Sequence, residues 1–276
     1  MNSDIVIISH KNCADGFAAS WAGRRRFPDA QLAYSHHPPN LTIPDVKGKT
    51  VYCLDFAYPK DITERLLKEA ASLTILDHHE SAKKRLDGMS PDFHFDMNRS
   101  GAMMAWNHFF PNEPAPWTVA YTQDRDLWTW KLPFSQELNT ILDSYPRDFN
   151  VWDDLAKQSS AHVGTASSPL VMAGSHILRY NQQQKHGLAE RATMVCFAGY
   201  DVPALNTPVF TSDLGNQLSG NQPFAIIWSF DGEQFQYSLR SDGKVNVAEI
   251  AEKYGGGGHC RASAFRSQEF LLRLVD

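Results

Sequence analysis

Three apolar, β-branched runs in this sequence end on groups that bind cations or move protons. Residues 4–10 end on His10, residues 50–55 on Asp55, and residues 73–77 on Asp77, followed at once by His78 and His79. In an open parallel sheet the carboxyl ends of the strands converge on one edge, where ligands bind. A carboxylate and imidazole set of this kind suits manganese, with zinc or iron as weaker fits, because thiolates are missing and an all-oxygen calcium shell is not offered. A lone strand-ending aspartate is more often a turn or N-cap residue than a ligand. Two adjacent histidines and a carboxylate after the apolar run 73–76 reverse those odds, since burying them without partners or metal is costly. His36 and His37, in Ser-His-His-Pro-Pro, lack a nearby acid and precede two prolines, so they read as loop.

A second kind of chemistry is anion capture. Four consecutive glycines, Gly255, Gly256, Gly257 and Gly258, let backbone N–H groups approach an anion closely, and His259, Arg240 and Arg261 lie nearby in sequence. Without the histidine and the helix before it, such a run would read as a flexible hairpin. Arg99-Ser100-Gly101 ahead of a predicted helix is a further anion candidate, because a helix N-terminus favours negative charge. Its rival is an ordinary N-cap serine, and the sequence leaves both open. Trp106, Trp128 and Trp130 lie near these motifs and could stack on bases, although tryptophans in a chain of this size are more often core. A serine nucleophile has no G-x-S-x-G frame in which to sit.

The elements that must position these groups follow from periodicity. After Asp15, helix spacing runs through Phe17, Ala18, Trp21 and Ala22, and residues 60–71 form an amphipathic helix with Ile62, Leu66, Leu67 and Ala70 on one face. Buried strands alternating with helices imply a parallel sheet covered on both faces, so the fold class is α/β, doubly wound in its first half. A helix over residues 101–110 stops at Pro111, Pro114 and Pro116, and an aromatic-rich, helical stretch spans 117–130. Residues 151–191 turn polar and read as a helical linker. From residue 192 onward, short strands at 193–197, 224–229 and 234–240, an Asp231-Gly232 hairpin turn and a helix at 247–254 give a smaller α/β C-terminal domain. The expected divisions are 1–150, 151–191 and 192–276.

With 42% hydrophobic and 21% charged residues the chain should fold throughout. The four cysteines form no CxxC pair, which argues against a disulfide framework or a thiolate zinc site. A net charge of -5 argues against binding long duplex nucleic acid, so an anionic substrate must be held locally. No apolar run approaches the roughly 18 residues of a membrane span, and the expected location is the cytoplasm.

Taken together, His10-Lys-Asn-Cys-Ala-Asp-Gly16, Leu54-Asp55-Phe56, Asp77-His78-His79 and Tyr-Thr-Gln-Asp124-Arg-Asp126-Leu-Trp, with the tail from Asn246 to Ala264 around Gly-Gly-Gly-Gly-His, resemble the DHH phosphoesterase superfamily with its DHH-associated C-terminal domain. The resemblance implies a manganese centre of one or two ions, other divalent metals being alternatives, with His10, Asp15, Asp55, His78 and Asp124 as ligands and Asp126 as the substitute for Asp124. It implies that His79 faces substrate phosphate while Asp77 orients its neighbours; the residues read above as anion candidates, Arg99, Ser100, Arg240, Gly256, Gly257, Gly258, His259 and Arg261, are then the ones expected to hold substrate. The first motif carries one carboxylate where many members carry two, with Asn12 upstream as a stand-in, which bears on the second metal.

The activity so implied is a metal-dependent phosphodiesterase that cleaves short oligonucleotides, foremost diribonucleotides such as pGpG, the linear product of cyclic di-GMP breakdown, to mononucleotides. The partner is then a short nucleotide, with no membrane, and the sequence leaves the oligomeric state open. The alternatives are an exopolyphosphatase, a cyclic-dinucleotide hydrolase, and a nucleotide-binding protein that has lost catalysis.

Overall fold

A computed structural model describes residues 4–10, 13–35 and 41–275. The chain divides into two compact units, Met1–Arg179 and Tyr180–Asp276. The first begins with β1 (Ile5–His10), α1 (Ala14–Arg26), β2 (Gln31–Ser35), β3 (Thr50–Leu54), α2 (Lys60–Glu69), β4 (Ser72–Asp77), α3 (Glu80–Leu86) and β5 (Phe93–Phe95). The strands form one sheet in the order β2-β1-β3-β4-β5, every pair parallel. Alternation along each strand sends side chains to two separate cores. Ile7, Leu54 and Leu76 face a core built with α1 and a later helix, α4 (Gly101–Phe109). Val6, Ile8, Val51, Cys53, Leu73 and Ile75 face the other core, covered by Leu66 of α2 and Leu86 of α3. This is the α/β parallel sheet that the buried runs required.

The register fixes where the chemistry goes. Leu54 of β3 lies between Ser9 of β1 and Leu76 of β4, so the residues that follow these positions emerge along one edge. The Asp55 N–H then donates to the Leu76 carbonyl at 2.9 Å, which ties the first residue beyond β3 to the end of β4.

Beyond α4 the first unit is helical: α5 (Trp117–Asp126), α6 (Ser135–Ser144), α7 (Phe149–Ala156), α8 (Ser160–Val163) and the start of α9 (Pro169–Ala189). Here the structure corrects the linker expected over 151–191. Trp152, Leu155, Val163 and Val171 are buried in the same core as α1 and α4, and the unit boundary falls inside α9. α8 and α9 each put one buried apolar residue, Val163 or Val171, into this core, so those stretches look polar on average.

The second unit continues with β6 (Thr193–Phe197), β7 (Tyr200–Asn206), α10 (Thr211–Ser219), β8 (Ala225–Phe230), β9 (Phe235–Arg240), α11 (Val247–Glu252), β10 (Gly257–His259), β11 (Ala262–Ser267) and β12 (Arg273–Leu274). Its mixed sheet has the order β10-β11-β9-β8-β7-β6-β12, with β7 and β8 parallel. β8 and β9 meet at the expected Asp-Gly turn, where the Asp231 carboxylate accepts from the N–H groups of Glu233 and Gln234 and Gly232 has φ +102°. Among the described residues no helix is long and apolar enough to cross a membrane.

Candidate metal centre

The carboxyl edge of the parallel sheet gathers acids and imidazoles that are almost wholly withdrawn from water: Asp15 is 1% exposed, Asp55 2%, Asp77 1% and His78 3%. Asp15 comes from the first turn of α1, Asp55 from the residue after β3, and Asp77 and His78 from the end of β4. One imidazole nitrogen, His78 Nε2, lies 3.2 Å from Asp55 Oδ1, 3.4 Å from Asp126 Oδ2 and 3.8 Å from Asp15 Oδ2. Donor atoms of Asp15, His78 and Asp126 all lie within 4.8 Å of one another, and so do those of Asp55, Asp77 and His79. The first group is the better cation site. In the second, Asp77 Oδ1 and His79 Nδ1 are already hydrogen-bonded to each other at 2.7 Å.

Local backbone choices produce this convergence. Asp55 has φ +55°, a left-handed conformation that costs a non-glycine residue about 1–2 kcal/mol but that aspartate tolerates better than most. It turns the carboxylate off the strand's alternation and towards His78. The approach also demands a glycine on the facing helix, because a Cβ at Gly101 would lie 2.3 Å from Asp55 Cβ. Sequence reasoning did not assign Gly101 this role. The signal that could have found it is its place directly after the N-cap of α4.

Electrostatics show what the pocket lacks. Burial, then the neighbouring carboxylates of Asp15, Asp126 and Asp77, push the Asp55 carboxyl well above the usual range. The Asp126 carboxyl, although its side chain is 27% exposed, is pushed up to about 6 by partial desolvation in the crowded pocket and then by Asp15. The Cys13 thiol, 3.6 Å from Asp55 Oδ2, is driven up by burial and then by Asp55, Asp126 and Asp15. Asp77 goes the other way: burial opposes its charge, but the His79 ring, its hydrogen bond and His78 outweigh that and hold it below the usual range. Among the described residues, Asp55 Oδ1 and Asp77 Oδ2 are buried and receive no hydrogen bond. Buried, crowded carboxylate oxygens without donors are costly, and a divalent cation neutralises several at once. The donor set therefore fits a metal ion.

Two ligands expected from the sequence, Asp124 and His10, are not in these donor groups. The Asp124 carboxylate accepts from Thr129 Oγ1 at 2.5 Å, from the Lys131 N–H at 2.9 Å and from the Leu132 N–H at 3.1 Å, and so is spent on the loop after α5. Asp126, two residues on, is the acid that reaches His78. His10 ends β1 as expected, with its ring 6.5 Å from that of Phe56, but it joins neither donor group. Asn12 and the His36-His37 pair lie outside the described residues.

The expected anion site at Arg99 and Ser100 is also corrected. Ser100 is the N-cap of α4, accepting from the Met103 N–H, and the N–H groups of Gly101 and Ala102 donate to the Asp15 carboxylate at 2.6 and 3.1 Å. The helix N-terminus does hold an anion, and the anion is the protein's own Asp15. Arg99 pairs with Asp96 at 3.3 Å.

The other residues expected to hold substrate belong to the second unit. β10 and β11 form an antiparallel hairpin with Gly258 opposite Ser263 and His259 opposite Ala262. A Cβ at Gly256 would lie 2.1 Å from the Ala264 carbonyl, and Gly258 has φ +140° with the Ala262 carbonyl 2.5 Å from where its Cβ would be. Close packing within the hairpin thus already accounts for two of the four glycines. Gly257 pairs with Ala264, and the Arg261 carbonyl accepts from the Ser241 N–H. Arg240 donates to the Leu239 carbonyl and to Ser212 Oγ, both at 2.9 Å, so its guanidinium is anchored within the unit.

No family model matches the sequence. An uncharacterized protein, R106, of Acanthamoeba polyphaga mimivirus is 28% identical over 284 residues, covering 94% of this chain, and the chain spans 66% of that protein's length. Among solved structures, the DHH domain of a member of a family of ribosomal proteins aligns with TM-score 0.52 at 14% identity, over 95% of this chain and 82% of that one. An exopolyphosphatase-related protein from Bacteroides fragilis aligns with TM-score 0.51 at 15% identity, over 97% of this chain and 88% of that one. The chain has the fold of the DHH-domain proteins.

Proposed function

We propose that this chain, built on the DHH fold, is a metal-dependent phosphoesterase that hydrolyses short oligonucleotides, diribonucleotides such as pGpG foremost, to mononucleotides. The observation that carries the proposal is the crowd of carboxylates around His78 Nε2, with Asp15 and Asp55 buried and Asp126 at the rim, and with buried oxygens of Asp55 and Asp77 that receive no hydrogen bond among the described residues. Asp15, Asp55, His78 and Asp126 would hold the ion, manganese being the reading that the motifs favour. Asp126 supplies a second carboxylate to a chain whose first motif offers only Asp15.

The chemistry that a bound divalent ion supplies is Lewis acidity towards phosphoryl oxygens and a lowered pKa of water. The chain's own residues do the rest. Asp77 accepts from both the His78 N–H and His79 Nδ1, which fixes the His79 ring in the tautomer with its proton on Nδ1. His79, 24% exposed where its partner Asp77 is 1% exposed, is the group of this pair that a substrate can reach. It would orient a phosphoryl oxygen or hold the proton that the leaving oxygen needs. The Asp55 backbone conformation and Gly101 keep the ligands in place before substrate arrives.

Incubation of the manganese-loaded protein with diribonucleotides, polyphosphate and cyclic dinucleotides tests the proposal. Mononucleotides from diribonucleotides are the expected result. Shortened polyphosphate with intact diribonucleotides would transfer the activity to another phosphoanion, and tight dinucleotide binding without product would make the chain a binding protein.

A further inference from the structure

We propose that Trp128 and Trp130, in the loop between α5 and α6, form the platform on which a nucleobase of the substrate stacks, and that Asp124 is the residue that positions it. The inference rests on the nucleotide reading above and deepens it.

Four tryptophans are core residues: Trp21, Trp106, Trp117 and Trp152 are no more than 3% exposed. Trp228 packs against the core of the second unit. Trp128 is 36% exposed, and neither it nor Trp130 belongs to a hydrophobic core. The two indoles meet edge to face with centroids 5.0 Å apart. Burial therefore does not explain these two large side chains.

Their backbone adds a second observation. Trp128 has φ +55°, Trp130 φ +50° and Phe134, which closes the loop, φ +55°. Bulky residues rarely adopt this conformation, and strain of this kind persists only where surrounding contacts over-determine it, which happens most often at functional sites. Here one buried acid supplies most of those contacts, the Arg125 carbonyl accepting from the Trp128 N–H at 2.9 Å. Besides the three bonds to its carboxylate, the Asp124 carbonyl accepts from the N–H groups of Thr129 at 2.9 Å and Trp130 at 3.4 Å. A shape this costly is built for its side chains, and it holds the Trp128 indole at the surface with Trp130 half-buried against it.

The third observation is position. Asp126, whose carboxylate is 3.4 Å from His78 Nε2, precedes Trp128 by two residues, so the platform begins within about 7 Å of chain from a metal-site acid. A phosphodiester held at the metal centre carries its nucleosides on either side, within reach of this loop. Stacking needs only a π face and does not read hydrogen-bonding edges, so the platform should accept purines and pyrimidines alike.

The test compares a dinucleotide with its abasic analogue, two deoxyribose units joined by the same phosphodiester, using the full-length manganese-loaded protein. The readout is the ratio of kcat/KM for the two substrates. Trp128→Ala should lower that ratio about tenfold, chiefly through the dinucleotide KM, Trp128→Phe should restore most of it, and Asp124→Asn should lower it several-fold through KM rather than kcat. Wild-type protein that cleaves dinucleotides with a ratio unchanged by Trp128→Ala would overturn the platform and leave the nucleotide reading standing. Wild-type protein that neither binds nor cleaves any dinucleotide would overturn both.

Discussion

Asp124 and Asp126 show how much one residue's identity leaves undecided. Both acids sit at the end of α5 with a single residue between them, and residues two apart on a helix face different ways. The sequence places an acid of this pair at the site, but the helix phase that chooses between them depends on where α5 ends and how the loop after it bends. Three left-handed residues set that bend, and no sequence pattern foretells left-handed backbone at tryptophan or phenylalanine. Asp126→Asn should weaken manganese binding about tenfold or more, measured by calorimetric titration, with little change in melting temperature. Asp124→Asn should do the reverse, costing about 1–3 kcal/mol of stability through the donors it leaves in the loop while metal affinity stays within about twofold. A joint loss of affinity in both variants would put Asp124 back among the ligands. The strand-ending Asp55, Asp77, His78 and His79 were legible because each follows an apolar run, and the end of a buried parallel strand leaves few places to go.

At the scale of elements, the legible parts were those with strong periodicity. β1, β3 and β4 are continuous apolar runs, whereas β2, reading Gln-Leu-Ala-Tyr-Ser, carries no comparable run and pairs with β1 at the edge of the sheet. α4 was visible as a helix, but its part in the site was not, since Gly101 acts through the side chain that it lacks. Gly101→Ala would place a methyl 2.3 Å from Asp55 Cβ and 2.7 Å from Asp55 Cα, and the second of these is backbone that cannot swing away. An overpacking cost of about 1–3 kcal/mol follows, seen as a lower melting temperature together with weaker manganese binding, because the displaced atoms are those of a ligand. A variant with wild-type affinity would show that Asp55 relaxes without leaving the site.

For the whole molecule, the consequence is a dependence of stability on pH that metal should abolish. In metal-free protein Asp55 and Asp126 retain protons at pH values where an unfolded chain has released them. The native state then binds more protons than the unfolded one, so stability falls as pH rises from the ordinary carboxylate value of about 4 through about 6, where Asp126 titrates. Asp77, held low, contributes stability that is present above that ordinary value and is lost only in stronger acid, so it does not mask the effect. Chelator-treated protein should therefore melt at a lower temperature at pH 7 than at pH 5. Manganese at about a hundred times its dissociation constant should add about 2.7 kcal/mol at neutral pH and close the gap. Chelated protein that melts higher at pH 7 would mean that other groups dominate. The Asp15 carboxylate, finally, is shared between two claims: it closes the first turn of α4 through Gly101 and Ala102, and it stands 3.8 Å from His78 Nε2. An ion that draws on those oxygens shares their charge with the two N–H donors, so the seat of α4 registers whether the pocket is filled.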